Sequence, residues 1–302
     1  MTAARRTLPL RRPLHLGRTL GALRRGRGDP AVLLTEAECW RATRTPDGPA
    51  TLHLRVLDGR LEAAAWGPGA TWAVEHAGDL VGEGDDDSGF RPAHDALKAA
   101  SRSLRGLRIG RTGAVAEALA PTILEQKVAG QEARRSWRAL VRRLGEPAPG
   151  PAPRGLTVPP SPARLAATPT WVFHRCGIER NRADTIRRAM ARGDRVDEAA
   201  SLPLADAYRS LQALPGVGPW TAAEVALVAL GDADAVSVGD YQLPSQVAWA
   251  LAGERTGTDE RMLELLEPYR GHRGRVLRLL TVAGVGPPRR APRTALRSFA
   301  DR

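Results

Sequence analysis

The sequence predicts an α+β fold, with an N-terminal antiparallel β-sheet domain followed by an all-α domain. Between Pro13 and Val74, short runs alternate apolar and polar residues between Gly, Pro and Asp, as antiparallel strands joined by tight turns do. After Pro92 the apolar residues recur at helical spacing instead. With 302 residues and 42% hydrophobic composition, the chain can bury one large core or two ordinary ones. The expected organisation is a sheet domain over 1–110, a helical domain over 111–290 and a basic tail over 291–302.

The strand runs are 14–20, 38–44, 51–57, 61–66 and 71–74, and Asp58-Gly59 is the strongest hairpin signal. An acidic, glycine-containing loop follows at 82–88. Val128, Ala133, Trp137, Leu140 and Leu144 then form one apolar stripe, with Arg134, Arg135, Arg138, Arg142 and Arg143 on the other faces. Seven prolines among the eighteen residues 146–163 predict an extended connector rather than a packed element. Helical patterns resume at 162–166, 182–191, 204–214, 220–230, 240–251 and 260–266, and no internal repeat is found.

Composition narrows the function. No apolar run approaches the ~18 residues of a membrane span, and no secretory signal opens the chain, so a cytoplasmic, nucleoid-associated protein is expected. Two cysteines, Cys39 and Cys176, cannot build a disulfide framework, a four-thiolate zinc site or a cubane iron–sulfur cluster. The net charge of +12 lies at the ends: residues 1–28 carry +8 and residues 286–302 carry +4, so the body is neutral. Basic ends suit a polyanion, or are solvated tails. Of the 45 basic residues 43 are arginine, leaving Lys98 and Lys127 as the only side-chain amines.

The informative stretch is 211–224. A helix ends at Leu214, Pro215 cannot continue it, Gly216 and Gly218 admit conformations closed to other residues, and Pro219 suits the first turn of a second helix. This is a helix-hairpin-helix. Glycines strip side chains from its turn, so backbone N–H groups at Gly216, Val217, Gly218 and Thr221 can approach a phosphate without reading sequence. Asp240, opening the next helical pattern, follows Gly218 by 22 residues.

Hairpin, loop and aspartate together resemble the helix-hairpin-helix superfamily of DNA glycosylases, and within it the DNA-3-methyladenine glycosylase II type. The similarity extends upstream through Ile123-Leu124-Glu125-Gln126-Lys127-Val128-Ala129-Gly130 and, loosely, over the sheet. It implies that Asp240 is the catalytic carboxylate, steadying an oxocarbenium-like sugar and positioning water; the plain alternative is a helix N-cap. Bifunctional members carry a lysine where this chain has Trp220, so the resemblance implies hydrolysis without strand cleavage. Trp220 and Tyr241 become the walls of a pocket for the flipped base. Lys127 falls at the plug that fills the gap in the stack, and Gln126 at a contact with the opposite strand. Carbonyls of Gln212, Leu214 and Val217 are implied to hold a monovalent cation bridging to a phosphate; no other cofactor is expected.

The expected partner is double-stranded DNA containing damaged bases, bound by a monomer, with alkylated purines as substrate. Alkylated purines are cationic and leave without a protonating acid, whereas oxidised or deaminated bases demand one, and the sequence names none. The alternatives are a glycosylase for such neutral bases or a DNA-binding module without catalysis. Trp137, Trp171 and Trp249 are read as core, and His174 and His272 have no metal-ligand spacing. Arg180, Arg182, Arg270, Arg273 and Arg275 contact phosphates or line a solvated face.

Overall fold

The computed structural model describes residues 3–288; the expected tail at 291–302 lies outside them. The sheet has five strands, β1 (Ala4–Pro9), β2 (Val32–Leu34), β3 (Glu38–Thr45), β4 (Gly48–Leu57) and β5 (Arg60–Trp66), in the order β1-β5-β4-β3-β2. Every neighbouring pair is antiparallel. The β4–β5 turn has φ of 48° at Asp58 and 71° at Gly59, both positive as a type I′ hairpin requires. The three inner strands lie where the alternation places them. The edges do not read as strands in sequence: β2 is three residues long, and β1 carries Arg5 and Arg6, charges that suit an edge because they discourage further pairing.

Two expected strands are helices. Residues 14–20 contain α1 (Leu16–Leu20), and 71–74 fall in α2 (Ala70–Glu75), which α3 (Ala77–Leu80) follows. Leu16, Thr19 and Leu20, and likewise Ala70, Ala73 and Val74, are buried at the helical spacing of three and four. In so few residues that spacing is hard to tell from alternation. Both helices pack on the face of the sheet made by Leu52, Leu54, Leu61 and Ala63. On the other face Trp40 stacks on His53 at 3.9 Å and on Trp66 at 5.7 Å.

The proline-rich connector is packed, contrary to expectation. It forms the ribbon of β6 (Glu146–Pro147) and β7 (Thr157–Val158), and Leu156 and Val158 bury against Ala42 of the sheet. Two apolar residues spaced for one strand face are enough to seat it.

The helical part comprises α4 (Asp95–Ser103), α5 (Val115–Glu125), α6 (Gly130–Leu144), α7 (Pro162–Ala167), α8 (Thr170–Arg175), α9 (Arg180–Met190), α10 (Gly193–Glu198), α11 (Leu204–Gln212), α12 (Pro219–Val225), α13 (Leu243–Ala252), α14 (Asp259–Leu266) and α15 (Arg273–Ala283). Its main core surrounds α5, in which every residue from Val115 to Leu124 except Glu117 is buried. Glu117 instead grips the sheet, accepting from Arg41 at 2.8 Å, the Thr43 hydroxyl at 2.8 Å and the Arg44 N–H at 3.0 Å. A second core joins α13, α14 and α15 to Leu97 of α4. The acidic loop 82–88 is tied to α15 by a buried ion pair, Asp85 to Arg275 at 2.5 Å, which removes Arg275 from any solvated face. Trp171 is not core: it is 58% exposed beneath the Arg175 guanidinium, because α8 turns Val172 and Phe173 inward. No helix among the described residues is long and apolar enough to cross a membrane.

Candidate active site

The hairpin forms as the sequence predicts, with α11 leading through Leu214-Pro215-Gly216-Val217-Gly218 into α12. Its two glycines have different reasons. Gly216 has φ of +90°, and a Cβ there meets Thr185 Oγ1 at 2.7 Å, so both conformation and packing on α9 demand glycine. Gly218 has an ordinary φ of −96°, and a Cβ there meets nothing within 4 Å. Neither backbone nor packing requires glycine at 218. The missing side chain leaves open room in front of the first N–H groups of α12, which have no side-chain cap.

Gln126, at the end of α5, braces this turn from within. Its Nε2 donates to the Gly216 carbonyl at 2.9 Å and to Thr221 Oγ1 at 2.8 Å. Thr221 is 2% exposed, backbone included, so its hydroxyl serves the brace and the residue is not presented to a phosphate as the sequence suggests. Lys127, next in sequence, is exposed and held at φ of +52°, a costly conformation for a residue with a Cβ. Arg182 steadies that bend, donating to the carbonyls of Leu124 at 3.4 Å and Gln126 at 3.3 Å. Of the three carbonyls proposed for a cation, that of Leu214 accepts the Val217 N–H at 3.0 Å. Among the described residues no group of three His, Cys, Asp or Glu is arranged to hold a metal ion.

Asp240 lies three residues before α13 rather than at its first turn. Its Oδ1 accepts the N–H groups of Gln242 at 2.7 Å and Leu243 at 2.9 Å, so it does cap that helix. Its Oδ2 accepts Trp220 Nε1 at 2.9 Å. Capping and the approach to the hairpin therefore belong to one side chain, one oxygen each. Trp220 is half-buried at the start of α12 with its indole edge on the carboxylate. Tyr241 is not brought to this group; its ring is 96% exposed.

Four residues to which the sequence assigns no role, Glu224, Ser237, Glu125 and Arg25, complete the cluster. Glu224 sits one turn beyond Trp220 on α12, and its Oε1 accepts from Ser237 Oγ at 2.5 Å. Burial pushes the Glu224 carboxyl above the usual carboxylate range; the charges of Glu125 and Asp240 push the same way, while the Ser237 hydrogen bond and Arg25 oppose them. Glu125 pairs with Arg25 at 3.0 Å, which brings a side chain from the N-terminal segment to the site. The spacing of 220 and 224 puts Glu224 on the helix face of Trp220 but does not by itself mark it as a site residue; nothing local in the sequence marks the other three.

No protein-family model matches the sequence, and no curated protein matches it. Solved structures match its fold. The 3-methyladenine DNA-glycosylase from Archaeoglobus fulgidus aligns with a TM-score of 0.76 at 17% identity, covering 91% of this chain and 97% of that one. MBOgg1, solved with a low-affinity DNA ligand, aligns at 0.70 and 18%, covering 94% and 98%. The Clostridium acetobutylicum 8-oxoguanine glycosylase/lyase, solved with double-stranded DNA, aligns at 0.61 and 13%, covering 84% and 97%. The chain therefore has the fold of these DNA glycosylases over most of its length.

Proposed function

We propose that the protein is a monofunctional DNA glycosylase that flips alkylated purines of the 3-methyladenine type out of duplex DNA and hydrolyses their N-glycosidic bond in base-excision repair. What supports this reading above all is the Trp220–Asp240 pair, a carboxylate held against an aromatic edge at the start of the hairpin's second helix. The fold shared with the solved glycosylases supports it independently.

In this reading the hairpin turn and the open face at Gly218 take a phosphate; the carbonyls of Gln212, Leu214 and Val217 would hold a monovalent cation, which would supply positive charge there. Lys127 enters the gap left by the flipped base. Trp220 stacks on the base, whose positive charge strengthens contact with an electron-rich ring. As the C1′–N bond breaks and its electron pair leaves with the base, Asp240 steadies the developing positive charge on the sugar and takes a proton from the attacking water. Trp220 has no amine to offer in place of water, so the product is an abasic site in an unbroken strand.

Incubation of the purified monomer with methylated duplex DNA should release free base and leave alkali-labile sites. Asp240→Asn should lower release by about 100-fold or more while duplex binding persists. Undiminished release by that variant overturns the mechanism. Salt-sensitive duplex binding without release by the native protein favours a DNA-binding module instead.

A further inference from the structure

Two rungs join α12 to the loop that carries Asp240: Trp220 Nε1 to Asp240 Oδ2 at 2.9 Å, and Ser237 Oγ to Glu224 Oε1 at 2.5 Å. Trp220 and Glu224 are one helical turn apart on α12, which puts the carboxyl on the same helix face as the indole. Glu224 Oε1 is engaged by Ser237, while Oε2 has no hydrogen-bond partner among the described residues. The charged groups around it are Asp240 and Glu125, which disfavour its anion, and Arg25 and Arg278, which favour it. Burial outweighs the arginines, so this glutamate keeps its proton at pH values where an exposed one has lost it.

We propose that Glu224 is a general acid of the base pocket, whose Oε2 hydroxyl protonates the departing base and extends the activity to neutral damaged purines. This rests on the glycosylase reading above. The step balances. The C1′–N bond breaks with its electron pair passing to the base, and the Glu224 proton moves to a ring nitrogen of that base. Water oxygen bonds to C1′ and gives a proton to Asp240. Glu224 is left as carboxylate and Asp240 as acid, and exchange with solvent restores both. A cationic base such as 7-methylguanine needs no such proton, because its positive charge already makes it a leaving group. A proton donor and a proton acceptor from one cluster, acting on the base and on the water respectively, are the usual division of acid and base roles in one site.

The test uses the native protein and Glu224→Gln on defined duplexes carrying either hypoxanthine, which is neutral, or 7-methylguanine. The native protein should release both, with hypoxanthine release falling on the alkaline side and 7-methylguanine release lacking that limb. The variant keeps shape and hydrogen bonding but cannot give up a proton, so its loss should be at least about tenfold larger for hypoxanthine than for 7-methylguanine. Equal losses, identical pH profiles, or release of 7-methylguanine without hypoxanthine each overturn the role of Glu224 and leave the glycosylase reading standing. Release of neither base by the native protein overturns both. The native pH profiles decide the matter even if the variant folds poorly.

Discussion

At the scale of single residues, the cluster makes each contact separable. Trp220→Phe keeps a ring for stacking and removes the indole N–H from Asp240 Oδ2; losing one hydrogen bond to a charged acceptor costs about 1.5–3 kcal/mol, so base release should fall about tenfold or more with binding little changed. The glycines give a second pair. Gly216→Ala forces a Cβ into a left-handed backbone and against Thr185, and should lower unfolding free energy by about 1–3 kcal/mol in urea titrations. Gly218→Ala should fold within about 0.5 kcal/mol of the native protein yet weaken duplex binding at fixed salt. For Glu224, a carboxyl whose pKa is raised by folding stabilises the native state below its unfolded value and loses that contribution as pH rises through the folded one. The melting temperature of Glu224→Gln should therefore gain on the native protein as pH rises above the ordinary glutamate pKa of about 4.3. Asp240 and Trp220 were legible because the hairpin fixed a register from which to count. Glu224 was not, because a lone acid among alanines on a short helix reads as solvent-facing, and the hydroxyl that engages it lies in a loop thirteen residues on.

At the scale of elements, α5 is the strut between sheet and hairpin. Its first turn is held by Asp197 Oδ1, which accepts the Ala116 N–H at 2.9 Å, and by Glu117 on Arg41, Thr43 and Arg44; its last residue leads into the Gln126 brace. Glu117→Ala leaves the buried Arg41 guanidinium unpaired and should destabilise by about 3–5 kcal/mol, read as a lower urea midpoint with unchanged slope. Little of α5 was legible. A helix buried on all sides has no polar face, so the contrast that reveals a period is absent. The reverse holds for α6, whose arginines outline its stripe in the sequence and which folds over the expected span. The short helices α1 and α2 failed as expectations for a third reason: six residues or fewer cannot distinguish two periods, and only packing against the sheet decides.

At the scale of the whole molecule, much of the N-terminal share of the charge asymmetry goes into internal bonds. Arg6 donates to the Glu75 carbonyl at 2.8 Å, Arg12 pairs with Asp87 at 2.6 Å, Arg18 donates to the Ser103 carbonyl at 2.6 Å, and Arg25 holds Glu125. The basic N-terminal segment is thus part of the scaffold. Its charge could be summed from the sequence, but the carbonyls and carboxylates that engage it lie tens of residues away and leave no local trace. The helical part reaches back in the same way, since α4 and the acidic loop both depend on α15. That dependence has a consequence in time. A ribosome delivers α4 about 170 residues before α15, which at about 5–20 residues per second is roughly ten to thirty seconds. For that interval Leu97 has no cover from α15 and Asp85 no partner in Arg275, so α4 and the acidic loop wait, incompletely packed, for α15 to emerge. Damage to α15 should therefore be felt by chaperones and proteases at α4 and the acidic loop.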